Sequence, residues 1–280
     1  MLNEFARLSH GKEPNMDSFE LSPRWEWIER GGPVLATAIH NGHLVRDELK
    51  PYLHASDEVL RRDEDPMTGV WASVGDDVFR TMTSRFEVDL NRSRERAFSS
   101  DPKETWGVRM YRQRPPDELV ERVLEEHDRF YAFARKWIEA SIRKHRKIIL
   151  LDFHSYNHRR NVEEKPEPQA GNPDVDLGMS TMDSARFGAI GEQLIECLQA
   201  RQVDGRALDV RVNVRYPDGG HFPEWVFAEY GQDVCTITLE VKKFYMDETT
   251  GQVSLRAVDD LLRACFDAKA AMAEELRRCG

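Results

Sequence analysis

The stretch from Pro116 to Arg146, PDELVERVLEEHDRFYAFARKWIEASIRKHR, runs without a break into KIILLDFH, and this junction constrains the fold more than any other feature. Leu119, Val123, Phe130, Phe133 and Ile138 fall near one face at helical spacing, and Asp117, after the prolines, is the expected cap. The run that follows opens on the aliphatic IILL before reaching Asp152 and His154, and reads as a buried strand. A long helix with one apolar stripe that leads directly into such a strand needs a sheet to cover. That step is typical of wound α/β folds.

The rest of the chain repeats the alternation. PVLATAIH (33–40) predicts an early buried strand, and TMTSRFEVDLNR (81–92) a second one ending in an Asn-Arg pair. RDELKPYLHASDEVLRRDEDP carries a short helix or two, interrupted at Pro51. SARFGAIGEQLIECLQARQ (184–202) is amphipathic, LDVRVNVRYPDGGHFPEW holds a strand and a Gly-Gly turn, and VCTITLEVKKFYM (234–246) is β-rich. A long helix over about 253–278 closes the chain. Strands alternating with helices favour a mostly parallel sheet with both faces covered, and sites in such sheets gather beyond the carboxyl ends of the strands.

A length of 280 residues suits one large α/β domain, read as a single catalytic unit with an N-terminal extension over 1–30. No run approaches the ~20 apolar residues of a membrane span, and the polar N-terminus lacks the apolar core of a signal peptide. Cytoplasm is therefore the expected location. The net charge of −10 argues against a nucleic-acid partner, although a few local arginines can still hold a small anion. Cys197, Cys235, Cys265 and Cys279 are scattered without a CxxC pair, which predicts free thiols in a reducing compartment.

Three apolar runs end in titratable groups: PVLATAIH at His40, KIILLDFH at His154 and VCTITLE at Glu240. If these strands lie side by side, their ends meet at one edge. Two imidazoles and a carboxylate oxygen, with one open position, form the usual catalytic zinc site, and a further carboxylate can act as general base. Asp152, two residues before His154 on the same strand face, is placed to orient a histidine, or else to cap a neighbouring helix. Glu240 is the expected general base. Its competing reading is a salt bridge to Lys242, which shares its face; Lys243, three residues on, does not.

Several segments occur in an order that resembles the N-formylglutamate amidohydrolase family, relatives of the zinc carboxypeptidases. They are IHNGH (39–43), RRDEDP (61–66), SRFEVDLNR (84–92), LDFHS (151–155), NPDVDLG (172–178), RYPDGG (215–220) and TLE (238–240), and the match spans roughly 33–245. The resemblance implies a carboxypeptidase-like fold, three layers α/β/α with a mixed, mostly parallel sheet, one zinc ion, and hydrolysis of an amide on an amino acid's nitrogen. His40 and His154 match the family's two histidines, Asp65 its acidic position, and Glu240 its late glutamate. The Pro-His-Ser/Ala-Gly of family members is Ile39-His40-Asn41-Gly42 here, followed by His43, so the third ligand stands among Asp65, Glu64 and His43, in that order. The tail VKKFYMDE departs from the histidine-degradation enzymes, which leaves the substrate open.

Arg92, with Asn91, is expected to anchor a substrate carboxylate, because a guanidinium fork binds carboxylates through two hydrogen bonds and Asn-Arg pairs do this in the related carboxypeptidases. Arg85 and Arg215 are further candidates, unless paired with an internal carboxylate such as Asp89. Gly219-Gly220 reads as a tight turn or a close approach to ligand, and Tyr156, Asn157, His158, Arg159 and Arg160 as a solvated or substrate-facing loop. The expected activity is zinc-dependent hydrolysis of an N-acyl amino acid. Its rivals are a carboxypeptidase-like hydrolase of short peptides, a non-catalytic carboxylate-binding protein, and a structural protein whose histidines never meet.

Overall fold

The computed structural model describes residues 24–105, 107–159 and 165–279. Among the described residues nine strands form: β1 (Trp25–Ile28), β2 (Val34–Ala38), β3 (Asp77–Thr81), β4 (Ile148–Tyr156), β5 (Val175–Gly178), β6 (Gln202–Val203), β7 (Arg206–Ala207), β8 (Val210–Val212) and β9 (Val234–Lys242). The α-helices are α1 (Asp57–Asp63), α2 (Thr68–Ala72), α3 (Asp117–His145), α4 (Ser184–Ala200), α5 (His221–Tyr230) and α6 (Leu255–Arg278). Seven strands make one sheet in the order β1-β3-β2-β4-β9-β5-β8, while β6 and β7 pair separately. The four central strands run parallel; β1 joins β3 and β5 joins β9 antiparallel, and β8 lies parallel to β5. The mixed, mostly parallel sheet matches the expected class.

Alternation along the strands separates two cores. Val34, Ala36, Ile149, Leu151, Phe153, Ile237 and Leu239 face α2, α4 and α6, meeting Trp71, Ile190, Leu194, Leu261 and Ala264. Leu35, Phe79, Ile148, Leu150 and Val234 face the other way, under α3 and α5. Each central strand is thus apolar on both sides, as parallel strands between helix layers must be. On the second face the apolar run stops halfway. Beyond Leu150 the same side of β4 carries Asp152 and His154, and β9 carries Thr236, Thr238 and Glu240. The polar half of this face carries the candidate site residues.

Connectivity makes the same point. From β2 the chain passes through α1 and α2 to β3 on one side, then returns through α3 to β4 on the other side of β2. Strand order therefore reverses between β2 and β4, the crevice where wound sheets hold ligands.

Several expectations need correction. TMTSRFEVDLNR is not a strand: β3 ends at Thr81, and the chain beyond it coils through turns closed by Ser84 O. Burial of Glu87 and Asp89 explains this, because their carboxylates collect Arg24 and Arg46, or His40 and Arg85, from directions that no single strand face offers. Asp117 does not cap α3; Pro116 takes that position, and Asp117 is the first helical residue, 3.3 Å from Arg114. Residues Trp25–Ile28, within the expected extension, form the edge strand β1, and the NPDVDLG segment supplies β5. Residues 1–23 of that extension lie outside the described residues. None of the four cysteines is disulfide-bonded.

Under α3, Phe133 is fully buried, with ring centroids 5.5 Å from Trp27 and Phe79 and 5.7 Å from Trp137. Phe133→Ala should cost about 3 to 5 kcal/mol in denaturant unfolding. A loss under ~1 kcal/mol would mean that this core tolerates the cavity.

Candidate functional site

The parallel strands β2, β4 and β9 are neighbours, and their carboxyl ends deliver the polar groups expected there. His154 sits directly beside Glu240 in the β4–β9 register. His40 follows β2 by two residues, and its carbonyl accepts the backbone N–H of Asp65 at 3.0 Å. That bond brings the segment after α1 onto the sheet edge. The Asp65 carboxylate then lies between the rings, with Oδ2 3.0 Å from His154 Nδ1 and 3.4 Å from His40 Nδ1. The ring centroids are 4.7 Å apart, and each of the three residues is at most 2% exposed.

The far side of each ring is held by another carboxylate. His40 Nε2 lies 2.7 Å from Asp89 Oδ1, and His154 Nε2 lies 2.9 Å from Asp152 Oδ2. Asp152 also accepts Thr37 Oγ1 at 2.6 Å, so it orients the histidine and caps no helix. Both Nδ1 atoms are thereby turned toward Asp65. Among the described residues, His40 Nδ1 and Asp65 Oδ1 have no hydrogen-bond partner although both are buried. His40, Asp65 and His154 offer ligand atoms within 4.8 Å of one another, a grouping able to hold a metal ion. A nitrogen-nitrogen-oxygen set of this kind, with His40 Nδ1 and Asp65 Oδ1 orphaned, fits a divalent cation well.

Glu64 and His43 form a separate pair. Glu64 Oε2 lies 2.7 Å from His43 Nδ1, and Glu64 Oε1 accepts Ser84 Oγ. Their atoms are engaged with each other and with Ser84, whereas Asp65, alone of the three third-ligand candidates, lies between His40 and His154.

Glu240 is 8% exposed, and no side chain among the described residues hydrogen-bonds its carboxylate. Neither lysine reaches it: Lys242 Nζ goes to Asp174, Gln169 and Asn172 O, and Lys243 Nζ to Arg62 O and Glu64 O. Burial pushes the Glu240 carboxyl up to about 8, with the charge of His154 opposing. Burial acts in the same sense on Asp65 and Asp89. For Asp65 the hydrogen bond with His154 and the close approach of His40 outweigh it, and for Asp89 chiefly the Arg85 charge does, so both carboxyls are held well below the usual range. Burial works against a charged His154, yet Asp152 and Asp65 raise it well above the ordinary histidine value.

Of the arginines, Arg85 donates to Asp89 Oδ2 at 2.9 Å, the internal pairing weighed against substrate binding. Arg92 donates to Glu104 O at 2.7 Å, with its Nε 3.4 Å from Asp89 Oδ2. Asn91 holds the glycine turn, donating to Gly219 O at 2.8 Å and accepting from Phe222 N at 2.9 Å. A Cβ on Gly220, at φ +101°, would collide with that Asn91 amide, so the turn is packed against the protein. Arg215 stacks on Tyr156 and Tyr216, 4.7 and 5.2 Å from the ring centroids, and bonds Asn172. In the loop after β4, Asn157 donates to Asp63 and His158 to Glu248, while Arg160 lies outside the described residues.

Two contributors escaped sequence reasoning. Asp89 orients His40; the signal available was an acid inside the apolar VDLNR segment. Asp176, opposite Glu240 in the β5–β9 register, accepts backbone N–H groups from Val214, Arg215 and Tyr216 and so places Arg215.

These shifts fix a pH dependence for the metal-free protein. Glu240, raised from 4.5 to about 8 in the fold, contributes stability that is complete below the lower value and lost as pH rises through the upper one. His154, raised above 6.5, acts in the same direction at higher pH. Asp65 and Asp89, lowered from 3.8, lose their contribution only in stronger acid. The thermal midpoint should therefore fall between about pH 5 and about pH 8, and Glu240→Gln should flatten the decline. A midpoint that rises over this range would contradict the assignment.

No curated protein matches the chain. Among solved structures, the N-formylglutamate amidohydrolase from Ralstonia eutropha JMP134 aligns with a TM-score of 0.69 at 17% identity, covering 91% of this chain and 98% of its own. A gene product of Agrobacterium tumefaciens aligns at 0.63 and 14% identity, covering 89% and 95%. At these identities the two show a shared fold. The N-formylglutamate amidohydrolase family profile itself matches residues 32–246, which include His40, Asp65, Asp89, His154 and Glu240. The chain belongs to the N-formylglutamate amidohydrolase family.

Proposed function

We propose that this protein is a zinc-dependent amidohydrolase that cleaves the amide bond of an N-acyl amino acid, of the N-formylglutamate type. The observation that carries the reading is the convergence of the His40 and His154 Nδ1 atoms on Asp65, beside Glu240, in a chain of this family. His40, Asp65 and His154 would hold the metal, since two imidazoles and a carboxylate suit zinc. When bound, zinc would supply Lewis acidity, polarising the scissile carbonyl and making water a better acid.

The remaining steps belong to the chain's own side chains. Glu240, ionised, takes a proton from the attacking water as the new carbon–oxygen bond forms. It returns that proton to the amide nitrogen as the carbon–nitrogen bond breaks, releasing a free amine and a carboxylic acid such as formate. The absence of a competing hydrogen bond on Glu240 among the described residues suits this shuttling. Asp89 and Asp152 keep both imidazoles facing inward. Arg92 and Arg215 are the proposed partners for substrate carboxylates, while Arg85 serves Asp89. Asn91 contributes by holding the turn at Gly219 and Gly220.

Three measurements test the reading. Elemental analysis of protein loaded with zinc and then dialysed should give one metal per chain, and His154→Ala should lower this below stoichiometry. Glu240→Gln should retain the metal and reduce kcat by at least about 100-fold, the scale of a lost general base; unimpaired turnover would remove Glu240 from the mechanism. A panel of N-formyl, N-acetyl and peptidyl amino acids should favour N-formyl substrates with an acidic side chain. Preference for peptides would move the activity to the peptidase reading.

A further inference from the structure

The segment that follows Glu240 does more than end a strand. Lys243 is 1% exposed, yet among the described residues its ammonium forms no hydrogen bond to a carboxylate; it donates to Arg62 O and, at 2.7 Å, to Glu64 O. Tyr245 is fully buried, packs edge-on against Trp71 at 4.8 Å, and donates its hydroxyl to Pro66 O at 2.7 Å. Lys243 and Tyr245 therefore bind three alternate carbonyls, those of residues 62, 64 and 66, on either side of Asp65. Asp65 itself is pinned through its N–H to His40 O and through its carbonyl, which accepts from Thr68 Oγ1 at 2.6 Å.

Burying an ammonium is costly, and a peptide carbonyl offsets that cost less fully than a carboxylate does. The carbonyls at the end of α1 do need donors, and a cation there also meets the negative end of the helix dipole. A water-exposed lysine would satisfy the same carbonyls at lower cost. What burial adds is rigidity: a fixed donor, tied to the strand that carries Glu240, sets where the Asp65 backbone can lie. The charges of Asp65, Asp63 and Glu248 favour the ammonium form against the burial that lowers it.

We propose that Lys243 and Tyr245 are positioning residues: they clamp the 62–66 segment so that the Asp65 carboxylate is preset between His40 and His154, and metal affinity depends on that clamp. The inference rests on the metal-site reading above and extends it to residues that do not touch the metal.

The test measures zinc dissociation constants by chelator competition, together with thermal unfolding of the metal-free proteins. The set is the unaltered protein, Lys243→Met, Lys243→Arg and Tyr245→Phe. Lys243→Met should weaken zinc binding by about 10- to 100-fold, the range for groups that orient a ligand. Tyr245→Phe, which removes one hydroxyl and keeps the ring, should weaken it several-fold, and Lys243→Arg should recover part of the loss. Folded variants that bind zinc as tightly as the unaltered protein overturn the clamp, even where their metal-free melting temperature drops, because that pattern is purely structural. If Lys243→Met does not fold, Tyr245→Phe alone decides in the same way. Failure of the unaltered protein to bind zinc would sink the metal-site reading itself, a different result from normal zinc binding by every variant.

Discussion

Placing the Asp65 carboxylate between two buried imidazoles is the constraint on which the rest of the structure depends. Three ionisable side chains, each almost completely removed from water, are tolerated only if every charge meets a counterpart. Asp65 faces both Nδ1 atoms, and Asp89 and Asp152 hold both Nε2 atoms. Those carboxylates are anchored in turn by Arg85 and Thr37. The coil between β3 and α3 follows from this requirement, because Asp89 reaches His40 only if the chain leaves the sheet after Thr81.

The sheet supplies the frame. Nine consecutive positions pair in parallel between β4 and β9, so His154 and Glu240 are neighbours by register, not through loop conformation. Apolar residues occupy the amino-terminal half of the α3 face and polar ones the carboxyl-terminal half. The first half packs beneath Phe130, Phe133 and Trp137, and the second carries the candidate site. A strand that is aliphatic and then acidic and basic is therefore one continuous structural element with two jobs.

Much of this was legible in the sequence, and the parts that were not share a cause. His40, His154 and Glu240 stand at the ends of strongly apolar runs, where burial makes a titratable group conspicuous. The long helices declared themselves through period. β1 and β5 are four residues each, too short for alternation to register, and their antiparallel pairing depends on neighbours far away in the chain. Asp89 binds a histidine forty-nine positions earlier, and no local pattern encodes that distance. Asn91 looked like a ligand-binding residue because of its arginine neighbour, but its amide is spent on the backbone around Gly219 and Phe222.

The buried carboxylates also divide by how they are satisfied. Asp65, Asp89, Asp152 and Asp176 each accept hydrogen bonds from named donors, and a carboxylate so held is fixed in place. Glu240 lies among them with no hydrogen bond to its carboxylate from the described residues, and burial raises its affinity for a proton. A group meant to stabilise the fold would gain from a donor, and Lys242 on the same strand face could have supplied one. Instead Lys242 turns to Asp174, and Lys243 to the carbonyls beside Asp65. Leaving this carboxylate without a partner costs stability. That cost has a use if Glu240 must be free to gain a proton and give it up, which is the role proposed for it.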